Sequence, residues 1–65
     1  MPRKIRELVA ALEKAGFVAR RSRSSHRQFT HLRVPGTVTV AGRLGADAKP
    51  YQERDVAEAL TKVET

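Results

Sequence analysis

Cysteine is absent from this chain, which excludes a disulfide framework and any zinc site built on thiolates. No apolar run approaches the roughly 20 residues needed to cross a bilayer. The opening Met1-Pro2-Arg3-Lys4 leads into an amphipathic pattern instead of a signal-peptide core. The expected setting is therefore a reducing cytoplasm, with no membrane partner. Length is scarce as well: 65 residues make one domain, residues 1–65, and a chain this short buries only roughly 60% of the surface its unfolded form exposes. A deep enclosed pocket is not expected, so any chemistry belongs on a surface or in a shallow groove.

Acidic residues are missing from the whole middle of the chain. Between Lys14 and Ala46 there is no carboxylate, whereas Lys14, Arg20, Arg21, Arg23, Arg27, Arg33 and Arg43 all fall inside that window. The net charge of +6 is thus concentrated, and clustered cation attracts polyanions because each neutralised phosphate releases condensed counterions. All but one of these cations are arginine, whose planar fork suits a phosphate. The pattern points to a nucleic-acid surface, against the plainer reading of a merely solvated face.

What is present divides into five elements. Ile5, Leu8, Val9, Leu12 and Ala15 follow the spacing of one helical face and predict a helix from Arg3 to Ala15, with Pro2 near its first turn and Gly16 just past its end. Phe17 to Ser22 reads as a strand, Arg23-Ser24-Ser25 as a polar turn, and His26 to Leu32 as a second strand. Alternation puts Arg27, Phe29, His31 and Arg33 on one side of that strand and His26, Gln28, Thr30 and Leu32 on the other. Phe29 is expected inward, as the larger apolar group, which turns His26 away from the core. Val34-Pro35-Gly36 carries turn chemistry, Thr37 to Ala41 alternates as a third strand, and Gly42 to Lys49 is a loop. Pro50 suits a first helical position, and Tyr51, Val56, Ala59, Leu60 and Val63 form the stripe of a closing helix. The order α-β-β-β-α lets two helices pack on one face of a three-stranded antiparallel sheet, an α+β arrangement of the double-stranded-RNA-binding-like kind; topology alone does not give function.

Two histidines are available for chemistry. His26 follows a serine-rich turn among Arg23, Arg27 and Arg43. A neutral histidine there can act as a base toward a ribose 2′-hydroxyl, which then attacks its own phosphodiester while arginine stabilises the charge growing on phosphorus. Such a reaction needs RNA and no metal or other cofactor. The residues alone leave His26 open between this role and plain RNA contact or turn capping. His31, at odd spacing from His26, should face the other side of a regular strand and is better suited to hydrogen-bonding the following turn. With Asp47 as the only mid-chain carboxylate, one acid and two separated histidines fall short of a metal site. Tyr51 is expected at the edge of the core, with base stacking the lesser alternative.

The helix end Glu13-Lys14-Ala15-Gly16-Phe17, the run Ser25-His26-Arg27-Gln28-Phe29-Thr30-His31, then Pro35-Gly36-Thr37-Val38-Thr39-Val40-Ala41-Gly42 and finally Lys49-Pro50 closely resemble the HicA (YcfA-like) family of bacterial mRNA-interferase toxins over nearly the whole chain. The resemblance implies a double-stranded-RNA-binding-like fold, degradation of messenger RNA through the histidine of a Gly-Ser-His motif, and restraint by a HicB antitoxin. It makes His26 the implied catalytic residue and Ser25 the serine beside it; the basic stretch around them offers Arg21, Arg23, Ser24, Ser25, Arg27 and Arg43 as the expected RNA-binding set. Three positions depart from the family pattern. Ser24 stands in place of the motif's glycine, Arg43 where a histidine is frequent after the third strand, and Pro50-Tyr51-Gln52 where the last helix usually opens Pro-Gly-Thr. A non-catalytic RNA-binding domain of the same fold is the alternative reading.

Overall fold

The computed structural model describes residues 3–23 and 26–64, apart from the side chains of Arg21, Ser22 and Arg23. Its elements are α1 (Ile5–Lys14), β1 (Val18–Arg23), β2 (His26–His31), β3 (Val34–Ala41) and α2 (Pro50–Glu64). The strands form one antiparallel sheet in the order β1-β2-β3. The helices pack against one face of it, so the α-β-β-β-α arrangement expected from the sequence is the one observed. No helix among the described residues is long and apolar enough to cross a membrane.

α1 forms where its stripe requires. Ile5, Leu8 and Leu12 are buried, one helical turn apart, and the charged residues between them stay wet. Its start is closed from far away in sequence. The Ile5 and Arg6 amides, which have no partner inside the helix, donate to the carbonyls of Ala46 and Leu44 at 2.9 and 3.0 Å, while the Glu7 carboxylate accepts from the Lys4 amide at 2.7 Å. Lys4 also pairs with Asp47 at 2.6 Å, an exposed ion pair worth at most about 1 kcal/mol.

The end of α1 is a Schellman motif. The Phe17 amide donates to Leu12 and the Gly16 amide to Glu13, both at 3.0 Å, with Gly16 at φ +100° and Phe17 and Leu12 both in the core. A Cβ at Gly16 would also lie 3.1 Å from His31 Nε2. Gly16→Ala is therefore expected to cost about 1–2 kcal/mol from backbone handedness alone, with crowding against His31 added to it. An unchanged urea midpoint would contradict this.

The sheet faces follow the expected alternation. Phe29 is 1% exposed and sits among Leu8, Leu12, Val40 and Val56 in the core, while His26 and Gln28 are exposed. Three local expectations need correction. First, the β2–β3 turn is Leu32-Arg33, not Val34-Pro35-Gly36, because Val34 is drawn into the core and pairs with His31. Pairing moves from Phe29↔Val38 to His31↔Val34, so β3 takes up two extra residues around Pro35 and Gly36, the latter at φ +82°. β3 is an edge strand, where a proline lacking its N–H is tolerated. Second, β1 runs one residue later than expected and bulges: Ala19 pairs with Phe29 and Arg21 with Gln28, leaving Arg20 as the extra residue. Third, Tyr51 is 49% exposed and Gln52 is buried in its stead. The inward stripe is Gln52, Val56, Ala59 and Val63, at i, i+4, i+7 and i+11, a register that Tyr51 does not share.

Candidate nucleic-acid interface

β2 opens with His26, exposed on the helix-free face. The core-facing demands of Phe29 fix this orientation, since residues three apart on a strand face opposite ways. In register His26 lies between Arg23 of β1 and Ala41 of β3, and Gln28 between Arg21 and Thr39. The backbone thus brings two arginine positions level with the histidine's face. Ser24 and Ser25, and the side chains of Arg21 and Arg23, lie outside the described residues.

Arg27 is placed differently. It is half-buried on the opposite face from His26, and its Nη1 donates to the Gly42 carbonyl at 2.9 Å. Beside it, the Gln52 side chain, 5% exposed, donates from Nε2 to the Ala41 carbonyl at 2.7 Å and accepts from the Lys49 amide at 2.9 Å. The end of β3 is therefore held from both sides, by β2 through Arg27 and by α2 through Gln52. Ala41, fixed in this way, is the strand partner of His26. Gln52 is a residue that reading by residue type passes over, because it is polar within an apolar stripe; only its i+4 and i+7 relation to Val56 and Ala59 signals it.

His31 serves the scaffold. Its Nδ1 accepts the Arg33 amide at 2.9 Å, across the turn that follows β2, and its Nε2 lies 3.2 Å from the Ala15 carbonyl. Both contacts are satisfied by one neutral tautomer, with the proton on Nε2 donated to Ala15. The ring also sits 5.0 Å from that of Phe17. His31 thus bonds the turn after β2, as expected, and also ties the end of α1 to it. At about 3.3 Å per residue it stands roughly 17 Å along the strand from His26. Among the described residues no cluster of three or more histidine, cysteine or carboxylate side chains could hold a metal ion.

Residues 5–61 of the chain match the family described as the HicA toxin of bacterial toxin–antitoxin systems. The chain belongs to the HicA toxin family. No curated protein and no solved structure matches it. Membership makes this HicA-family chain the toxin half of a pair and implies an antitoxin partner. The matched span runs from the first residue of α1 into the last turns of α2, so it includes every strand and His26.

Two cations complete the HicA chain's basic surface. Arg43 is exposed directly after Gly42, whose φ of +120° ends β3 at the same end of the sheet as His26. Arg20, missed as a site residue from sequence, is also exposed and donates from Nε to Thr30 Oγ1 at 3.2 Å, above the strand face that carries His26. Alternation from Val18, the partner of Thr30, already gives Arg20 this face; the bulge makes it the unpaired residue there, with Arg21 taking the place opposite Gln28.

Proposed function

We propose that this HicA-family toxin is a metal-independent endoribonuclease of messenger RNA, with His26 as its general acid/base and residues 1–65 acting as one domain. The observation that carries the reading is the exposed His26 on a helix-free sheet face, within a stretch of chain that has cations and no carboxylates. In the proposed step neutral His26 takes the proton of a ribose 2′-hydroxyl, and the 2′ oxygen bonds to phosphorus. The bond from phosphorus to the 5′ oxygen breaks, and the departing oxygen takes a proton from water. Arg23 and Arg43 neutralise the charge that grows on the phosphoryl oxygens, and Arg21, Ser24 and Ser25 hold flanking phosphates. Arg27, bound to Gly42, acts by fixing the strand end instead of by touching phosphate. A HicB-like antitoxin covering the basic face in the cytoplasm would keep the enzyme silent.

One observation favours the non-catalytic RNA-binding alternative. The described neighbours of His26 on its face, Gln28, Thr39 and Ala41, include no second acid or base. Incubating the purified toxin with messenger RNA in excess EDTA separates the readings. The enzyme yields fragments with 2′,3′-cyclic phosphate and 5′-hydroxyl ends, the products this chemistry dictates. RNA that is bound but left whole makes the chain a binding domain, and cleavage that appears only with an added divalent ion overturns the metal-independent mechanism.

A further inference from the structure

Tyr51 is a large aromatic that the core does not use. It stands 49% exposed at the start of α2, beside a hollow of about 250 Å³ floored by Ile5 and walled by Ala41, Gly42, Asp47, Lys49 and Tyr51 itself. An enclosing ligand pocket runs to roughly 300–1,000 Å³. This hollow is smaller and suits one flat group, with the rest of a ligand left outside. Ala41, on its wall, is the direct strand partner of His26, so the hollow lies on the helix side of the sheet at the end where His26 faces the other way.

The charges around it favour an anion with a flat face. Lys49 is exposed on the wall of the hollow, and Arg43, also exposed, follows its wall residue Gly42 directly. The one carboxylate on its wall, Asp47, is engaged by Lys4 Nζ at 2.6 Å. Gln52 is turned inward and occupied by Ala41 and Lys49 backbone groups, which leaves the Tyr51 ring as the group offered outward. An exposed aromatic next to exposed cations is how single-stranded nucleic acid is held, with the base stacked on the ring and the backbone phosphate on the cations.

We infer that Tyr51, with Lys49 and Arg43, forms a nucleobase subsite in which a base flanking the scissile phosphate stacks on the tyrosine ring. The inference rests on the RNA reading above and adds to it a place for one nucleotide at the end of the sheet where His26 stands, reached around the edge strand β3. Stacking on a single ring reads any base by its face, so the subsite contributes affinity and register more than sequence choice.

The chain supplies its own probe. It has one tyrosine and no tryptophan, so emission excited near 275 nm reports Tyr51 alone. A dye-labelled single-stranded oligoribonucleotide is titrated onto the full chain carrying His26→Ala, which keeps the RNA whole, and two signals are followed: RNA anisotropy for binding and tyrosine emission for stacking. The subsite predicts that emission is quenched along the binding curve, that Tyr51→Ala in the same background binds about 5- to 150-fold more weakly, and that Tyr51→Phe, which keeps a ring, binds within about twofold of its parent. Half its surface is already in water, so Tyr51→Ala should unfold at the parent's urea midpoint. Binding by anisotropy with unchanged tyrosine emission, or with equal affinity for Tyr51→Ala, overturns the subsite and leaves the RNA reading standing. Absence of binding by every variant overturns the RNA reading and the subsite together.

Discussion

Replacing His26 by alanine is expected to lower the rate of RNA cleavage by roughly 10²–10⁴-fold, the usual contribution of a positioned acid/base, while leaving the thermal transition where it was. The second half of that expectation follows from exposure. The His26 side chain makes no hydrogen bond to the described residues, it faces solvent, and removing an exposed side chain usually changes stability by no more than about 0.5 kcal/mol. Cleavage rates of the purified wild type and His26→Ala on one RNA, with a circular-dichroism melt of each, check both halves. A folded His26→Ala that cleaves at the wild-type rate would remove His26 from the mechanism.

Phe29→Ala should have the largest effect on the fold. Phe29 is 1% exposed, pairs with Ala19 on one side and Val38 on the other, and stands in the middle strand against both helices. Truncating a buried phenylalanine costs about 3–5 kcal/mol. Small domains hold only about 5–15 kcal/mol in all, and one this size sits at the low end. Phe29→Ala is expected to lose most or all of its cooperative melt, and Phe29→Leu, which keeps most of the volume, to retain one. A cooperative transition for Phe29→Ala at the wild-type midpoint would show that the core is organised around other residues. The comparison also guards the first prediction, since an unfolded toxin and one without its proposed base would both fail to cleave and only the melt tells them apart.

These two residues show what the sequence made legible. Phe29 and His26 are three apart on a strand, and placing the larger apolar group inward turned the histidine outward without any further information. The helix ends were legible for a similar reason, because Gly16 and Pro50 have few other places to sit. What sequence could not show is where the strands slip. The Arg20 bulge and the two residues absorbed around Pro35 and Gly36 depend on which partner positions the core accepts, and Val34, which has the inward parity of Val38 and Val40, was hidden by the turn chemistry of the Pro35-Gly36 that follows it. Arg27 shows the same limit on the site. Alternation already set it on the opposite face from His26, but nothing in the sequence named the Gly42 carbonyl as the acceptor of its guanidinium. Tyr51 was drawn into the apolar stripe by residue type, although its spacing from Val56 belongs to no helical face.

The loop that closes the start of α1 also has a consequence in time. The Ile5 and Arg6 amides find their acceptors at Ala46 and Leu44, some forty positions later, and the strand end opposite His26 is held by Gln52, later still. A chain emerging from the ribosome therefore exports its first helix long before the groups that finish it exist. A chain stopped before residue 42 has no acceptors for those amides and no clamp on β3. The histidine's surroundings therefore cannot be completed until the loop after β3 and the start of α2 have been added to the chain.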